Sequence, residues 1–119
     1  MRDELRNIDQ LASKGEAVKH FGYLQTIGVG SPIGFFVDQD DKNSSQYLAA
    51  VVQSGTTLPD RDYYLEEDAK YQKAREALKS YVTSLFELSE LPNGSAAAEA
   101  ILALETELAR VQWERTELR

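Results

Sequence analysis

The sequence predicts a mainly α-helical protein with one small antiparallel β-hairpin, an α+β arrangement. Two short helices come first, the hairpin follows, and a long helical hairpin completes the chain. Apolar residues recur every three or four positions in four segments, which is the spacing of one helical face. In a fifth segment, near position 35, the period changes to two, which is the spacing of a strand. With 119 residues the chain has the length of one domain, so we expect residues 1–119 to form one unit. It contains no cysteine and therefore no disulfide.

The first quarter of the chain predicts two helices joined by a tight link. Apolar residues at helical spacing indicate a helix that begins near Asp3 and is broken by Gly15. Ser13 followed by Glu16 matches a capping box, in which each side chain accepts a bond from a backbone N–H of the opening turn, so a second helix should begin there. The predicted apolar face of this helix consists of Val18, Phe21 and Leu24, and the residues that end it are Gly28, Gly30 and Pro32.

Two strands are predicted between residues 33 and 53. Ile33, Phe35 and Val37 stand at alternate positions, and Tyr47–Val52 is an apolar, partly β-branched run. Between them, Gln39–Ser45 is rich in Asp, Asn and Ser, whose side chains bond nearby backbone, so we predict this segment to be the turn. Because two strands alone are only marginally stable in water, the hairpin needs packing partners.

The second half of the chain predicts a helical hairpin. Glu66–Asp68 should lie in the first turn of its long first helix, where the helix dipole favours negative charge. Leu91–Gly94 stops this helix, and Ser95 is the predicted cap of the next one. That last helix is expected to run towards Arg119, because no stop signal follows it. The predicted buried faces are Tyr71, Ala74, Leu78, Tyr81, Val82 and Leu85 in the first helix, and Ile101, Leu104, Leu108 and Val111 in the second.

Charge and missing motifs exclude several classes of function. A net charge of −7 and a pI near 4.7 repel phosphate backbones, so nucleic acid is not an expected partner. No apolar run approaches the roughly 18 residues of a membrane helix, so we predict no membrane segment in this sequence. The sequence also lacks a cysteine nucleophile, a G-x-S-x-G elbow and an H-E-x-x-H helix, so we assign no catalytic residue.

Three further patterns are more simply explained by structure than by a ligand. His20 is the only histidine and is expected to pack or face solvent, since one histidine cannot form a multi-histidine metal site. Asp38–Asn43 resembles the start of a calcium loop, but Lys42 occupies a ligand position, so a turn is the better interpretation. The aromatic residues Tyr63, Tyr64 and Trp113 form either a binding platform for a peptide or sugar or, more often for such residues, part of the core.

Two runs of sequence are unusually specific. Phe35–Ser44 contains an Asp-Asp-Lys-Asn-Ser turn, and Leu58–Leu65 reads Leu-Pro-x-Arg-Asp-Tyr-Tyr-Leu before a long helix. Both runs resemble the neprilysin-like zinc metallopeptidase family. The later Ala103–Ala109 helix is similar to the family too, and the resemblance extends from about Leu5 over most of the chain. The signature residues that we interpret as structural are Asp41, Lys42, Asn43, Ser44, Leu58, Pro59, Arg61, Asp62, Tyr63 and Tyr64.

The resemblance implies that 1–119 is a non-catalytic fragment of the family's N-terminal region. Family members cleave oligopeptides with a zinc-activated water held by an H-E-x-x-H helix and a downstream glutamate, and these motifs are absent from this sequence. Glu105 does not match that glutamate, because Ala109 stands where the family has an aspartate. The implied cofactor is therefore zinc in the full-length parent and none in this fragment. The implied partners are the remainder of the parent and, for the parent, oligopeptide substrates.

The same resemblance gives expectations about local structure and origin. Arg61 and Asp62 are expected to fix the turn into the long helix by pairing with backbone or with each other. The absence of cysteine differs from the disulfide-rich animal members and indicates a bacterial-type relative. Localisation stays open, and an exported periplasmic or extracellular parent is compatible with the sequence. The alternative hypothesis is a free-standing helical module that binds a protein partner through Tyr63, Tyr64 or the edge of the hairpin.

Overall fold

The computed structural model describes residues 2–114 and 116–117 and divides into two compact units, Met1–Ser54 and Gly55–Arg119. Its composition of helices and a two-stranded antiparallel hairpin confirms the predicted fold class. The first unit contains α1 (Arg2–Asp9), α2 (Lys14–Thr26), β1 (Ile33–Asp40) and β2 (Asn43–Gln53). The second contains α3 (Asp62–Leu65), α4 (Ala69–Leu88) and α5 (Gly94–Val111). The one-turn helix α3 was not among the sequence predictions.

The start of α2 is fixed by the predicted capping residues. The Ser13 hydroxyl accepts a hydrogen bond from the Glu16 N–H at 3.2 Å. The Glu16 carboxylate reaches back to the Ala12 N–H at 2.8 Å, one residue before the cap itself. The apolar face predicted for α2 is not a core face, because no residue of this helix is buried and Val18 is 66% exposed.

The hairpin is regular, but its strands are longer and its turn shorter than predicted. Phe35 pairs with Val51 and Val37 with Ala49, and the register shifts only after Gln39. Asp41 and Lys42 alone separate the strands, whereas the sequence predicted a turn over Gln39–Ser45. The turn is tightened by the Asp40 carboxylate, which accepts from the Lys42 N–H at 2.8 Å. At the start of β2 the Asn43 side chain accepts from the Ser45 N–H at 3.2 Å, so part of the predicted turn belongs to this strand.

The second unit has a compact core. It consists of the buried residues Tyr64, Leu78, Val82, Ala98 and Ala109, with Leu58, Tyr63, Leu65, Phe86, Ile101 and Leu102 packed around them. α4 begins one turn later than predicted, because the Asp68 side chain is its cap and accepts from the Lys70 N–H at 2.8 Å. Glu66 and Glu67 therefore precede the first turn instead of lying in it.

The last helix begins and ends at other residues than predicted. α5 begins at Gly94, after Asn93 in the left-handed region at φ 61°, so Ser95 lies inside the first turn and is not the cap. A side chain at Gly94 would come within 2.9 Å of the Phe86 Cβ, which shows how closely the chain passes α4 there. α5 ends at Val111, and Gln112 is extended with ψ 144°, so the helix does not continue towards Arg119.

The buried face of α5 also differs from the predicted one. Ala98, Glu105 and Ala109 face the core, and Leu104 and Val111 are 62% and 78% exposed. Small alanine side chains allow the two helices to approach closely. Of the predicted face, Ile101 is half-buried and packs against the core, whereas Leu104 and Val111 lie on an exposed face. In α4, Leu78 and Val82 are buried as predicted, while Tyr81 is 56% exposed.

Candidate functional site

A buried carboxylate organises the loop that precedes α3. Glu105, on α5, is 7% exposed and accepts three hydrogen bonds. Thr57 donates two of them, from its N–H to Oε2 at 3.0 Å and from its hydroxyl to Oε1 at 2.7 Å. The Tyr64 hydroxyl donates the third to Oε2 at 2.5 Å. Because an unpaired buried charge is costly, these donors are what allows a glutamate to lie in the core.

Tyr64 extends this network back to the loop. Its hydroxyl accepts a hydrogen bond from the Leu58 N–H at 2.8 Å while donating to Glu105. Burial, and after it the hydrogen bond to Glu105, raises the pKa of the Tyr64 hydroxyl far above its usual value of 10.0, so the group stays a neutral donor. We call Thr57, Leu58, Tyr64 and Glu105 the Glu105 cluster. It ties the loop, α3 and α5 to one another.

Two arginines flank α3. Arg75, on α4, donates to the Tyr63 carbonyl at 2.7 Å and to the Glu66 carbonyl at 3.0 Å, and so satisfies acceptors at the end of this short helix. At the other end, the Arg61 guanidinium lies 3.6 Å from a Glu114 carboxylate oxygen. The second unit thus holds α3 at both ends with side chains from other segments.

The expected contact between Arg61 and Asp62 is replaced by other contacts. Arg61 pairs with Glu114, and the carboxylate that bonds the turn is that of Asp60, which accepts from the Asp62 N–H at 2.9 Å. An aspartate in this position closes a local side-chain turn without bending the chain towards an arginine. Asp62 itself is exposed at the first position of α3.

The structure separates the signature residues into two groups. Asp41, Lys42, Asn43 and Ser44 form the exposed end of the hairpin in the first unit. Leu58 and Tyr64 belong to the Glu105 cluster in the second unit, and Tyr63 packs its ring edge-on against Tyr71, with centroids 4.8 Å apart. Pro59 is exposed beside them. Tyr64 is therefore a core residue and not part of an exposed aromatic platform, whereas Trp113 is 65% exposed.

Sequence reasoning missed three residues of this site, Thr57, Arg75 and Glu105. A glutamate in a helix rich in Glu and Leu is typical of a solvated face, and a threonine before a proline is typical of a loop. One signal was available for Glu105, because it lies seven residues after Ala98 and four before Ala109, on the side of α5 with small residues. An acidic residue on such a side indicates burial with partners.

The described residues do not form a metal site. Within residues 2–114 and 116–117, no group of three or more His, Cys, Asp or Glu side chains could hold an ion. His20 lies on α2 with its ring 5.7 Å from that of Tyr23. The oxygens of Glu105 are occupied by protein donors. Of the helices described, none is long and apolar enough to span a bilayer.

A groove lies between α4 and α5 in the second unit. Its volume is about 330 Å³, and hydroxyl and charged side chains line it. The Lys79 ammonium at its edge lies 2.8 Å from Glu76 and 3.3 Å from Glu99, so its charge is already balanced. Since the cation is paired and small hydroxyl groups make up much of the rest, the groove does not indicate a particular ligand.

Comparison with known proteins places the chain in a family. Its sequence matches the N-terminal model of peptidase family M13 over residues 1–119. It is 37% identical over 87 residues to endothelin-converting enzyme-like 1 of Rattus norvegicus, which covers 71% of this chain and 11% of that protein. It is 32% identical over 68 residues to neprilysin-3 of Drosophila melanogaster, which covers 57% of this chain and 9% of that protein.

Solved structures agree with the sequence matches. The crystal structure of the Mycobacterium tuberculosis zinc metalloprotease Zmp1 with an inhibitor matches 99% of this chain and 18% of its own, with a TM-score of 0.84 and 36% identity. The cryo-EM structure of the same protein in an open state matches over the same shares with a TM-score of 0.80. This chain thus spans about a tenth of the curated relatives' length and under a fifth of that solved chain. The chain belongs to peptidase family M13 and corresponds to its N-terminal region.

Proposed function

We propose that this chain is a non-catalytic structural portion of a zinc-dependent metallopeptidase whose full-length parent hydrolyses oligopeptides. The observation that carries the proposal is the match of 99% of the chain, at a TM-score of 0.84, to 18% of a zinc metalloprotease. In this proposal residues 1–119 are one continuous fragment of the N-terminal region, and the rest of the parent supplies the catalytic machinery.

Among residues 2–114 and 116–117 no side chains form a ligand set for zinc, and no chemical step is assigned to them. The histidine His20 has no acidic or histidine neighbours that complete a ligand set among the described residues. Zinc in catalytic sites takes three protein ligands and one water, and we propose that the parent holds its metal with residues outside 1–119. The partners we propose for this chain are accordingly the remainder of the parent and, through the parent, oligopeptide substrates.

The contribution of the chain's own residues is rigidity. The Glu105 cluster fixes the loop before α3 on the helical hairpin, and Arg75 fixes the end of α3. The resemblance to the family further suggests that this portion helps to wall the chamber in which the parent cleaves peptides. Such a wall must keep its shape without the substrate, and buried, paired polar groups provide this. We therefore propose structural roles for the ten signature residues, including the exposed turn residues Asp41–Ser44.

Activity and metal binding of the 119-residue chain test the proposal. The purified chain and its His20→Ala variant are titrated with zinc by calorimetry, and both are incubated with a small unstructured peptide and excess zinc. We expect neither tight, stoichiometric zinc binding nor turnover from either protein, and zinc-dependent turnover from the product of the longest reading frame that contains these codons. Chelator-sensitive turnover by the 119-residue chain that survives stringent purification overturns the proposal.

The reading frame separates this proposal from that of an interaction module. A frame that continues past Arg119 into an H-E-x-x-H sequence supports the peptidase parent. A natural stop codon directly after Arg119 contradicts it and favours a free-standing module that binds a protein partner.

A further inference from the structure

The β-hairpin carries apolar side chains on both of its faces. Residues that pair across an antiparallel ladder point to the same face, so Phe35 and Val51 define one face and Phe36 and Ala50 the other. On the first face Ile33, Phe35, Val37, Tyr47 and Val51 are 57–74% exposed, and on the second Phe36, Leu48 and Val52 are 42–52% exposed. No described residue of either strand is buried.

Such a pattern differs from that of a hairpin with one solvated side. A hairpin that packs on a core with one face and meets water with the other alternates apolar and polar residues. Here the consecutive residues Phe35, Phe36 and Val37 are all apolar, and polar residues are concentrated at the turn end, from Asp38 to Gln46. Strands that are covered on both faces have this near-continuous apolar sequence. The polar side chains at the turn end are the ones that water can solvate.

We propose that the hairpin is an inner layer of the parent enzyme, covered on each face by apolar segments of the same polypeptide that lie outside residues 1–119. This inference rests on the proposed function. The length of the matched structure supports covering segments from the same polypeptide. The match includes 99% of this chain but only 18% of that protein, so more than four-fifths of its residues remain to supply the two layers.

A second copy of this chain is a poorer occupant. A two-fold contact uses the same face of both copies, so a dimer covers one face of the hairpin and leaves the other in water. Covering both faces with copies requires an open stack of hairpins. Segments of one longer polypeptide cover both faces without forming an open stack.

Cysteine accessibility tests the inference, since the 119 residues contain no cysteine to interfere. Val37→Cys reports on the first face and Leu48→Cys on the second, because these side chains are 62% and 52% exposed in the structure. Lys42→Cys is the matched control at the turn, where the recorded bond uses only the Lys42 N–H. Each variant is made in the 119-residue chain and in the longer reading-frame product, and maleimide labelling is followed at each site by peptide mass spectrometry.

We expect all three sites to react at similar rates in the 119-residue chain. In the longer product, labelling at positions 37 and 48 should slow by at least about tenfold while position 42 stays fast. Fast labelling at either face in a longer product that cleaves peptides overturns the two-sided layer and leaves the proposed function intact. Slow labelling of either face in the 119-residue chain also overturns it. A dimer or larger species by light scattering then assigns the face to a second copy, and a monomer assigns it to other residues of the same 119. A reading frame that ends at Arg119 instead contradicts the proposed function itself.

Discussion

The two units of this chain differ in how many of their apolar side chains are buried. Gly55–Arg119 contains all the buried hydrophobic residues described, together with a buried, fully paired glutamate. In Met1–Ser54 the buried residue among those described is Ser31, whose hydroxyl accepts from the Gln25 side chain and donates to the Ile33 carbonyl. The first unit is thus held by backbone ladders and polar contacts, while most of its large apolar side chains are exposed.

This contrast shows that regular secondary structure can form without a buried core. The strands pair in register over most of their length without burying a side chain. Hydrogen-bonded ladders contribute little net free energy in water, because the unfolded chain bonds to water equally well, and apolar burial decides stability. We therefore expect the second unit to carry most of the stability of the 119-residue chain.

The largest effect should come from the core of the second unit. Leu78→Ala removes a side chain that is 4% exposed, and we expect a loss of about 2–5 kcal/mol in the free energy of unfolding. Leu104→Ala is the matched control, since the same side chain is 62% exposed there and should cost at most about 0.5 kcal/mol. Urea unfolding followed by circular dichroism measures both. Equal losses would show that the α4–α5 contact is not the core.

Glu105→Gln should have the next largest effect. An amide at this position places an N–H₂ group against one of the donors Thr57 and Tyr64, so a buried donor loses its acceptor and stability falls by about 1–3 kcal/mol. Glu107→Gln is the control, because Glu107 is exposed and pairs with Arg110 only at the surface, which is worth at most about 1 kcal/mol. The same urea titration compares them. A neutral result for Glu105→Gln would mean that its charge contributes nothing to the second unit.

The sequence predicts four of the five helices described, the hairpin and the capping of α2, because these depend on local spacing and on cap residues such as Ser13 and Glu16. It does not predict which face of α5 is buried. Periodicity counts Leu104 and Val111 as core because they are large and apolar, yet close helix packing selects Ala98 and Ala109. The contact between two helices depends on the partner's shape, which a single helix sequence does not contain.

The site was predictable only in part for a similar reason. Leu58 and Tyr64 belong to the run that resembles the family, and the structure gives both a place in the Glu105 cluster. Thr57 and Glu105 are 48 positions apart, and their hydrogen bonds arise only when the loop folds back on α5. Local patterns contain no information about contacts of that range. The hairpin turn was misjudged for the opposite reason, because Asp40 closes it more tightly than composition suggests.

Tyr64→Phe should have a smaller effect than Glu105→Gln and one that depends on pH. The substitution leaves two donors on Glu105 but removes the acceptor of the Leu58 N–H, so we expect a loss of about 1–2 kcal/mol at pH 7. Burial and the bond to Glu105 raise the pKa of Tyr64 in the folded state. A raised folded pKa gives stability that is complete below the unfolded value and is lost as pH rises above it.

The difference between wild type and Tyr64→Phe should therefore shrink above pH 10, the usual tyrosine value. The other tyrosines are common to both proteins, so their ionisation cancels in the comparison. Urea unfolding at intervals from pH 8 to pH 11 measures the difference. A difference that stays constant through this range contradicts the assignment of Tyr64 as a buried neutral donor, and with it the Glu105 cluster.

The smallest effect should come from the hairpin, and it tests the contrast between the units most directly. Phe35→Thr replaces an aromatic residue of β1 by a β-branched one, which also favours a strand, and removes a ring that is 57% exposed. The cost should therefore stay below about 1 kcal/mol, mainly the cross-strand contact with Val51. A buried phenylalanine would cost about 3–5 kcal/mol on truncation. Amide hydrogen exchange provides the local measurement, and we expect β1 and β2 to be protected less than α4 and α5 in both proteins. Strands protected as strongly as α4, or a loss as large as that for Leu78→Ala, would mean that the hairpin already has its packing partners within these 119 residues.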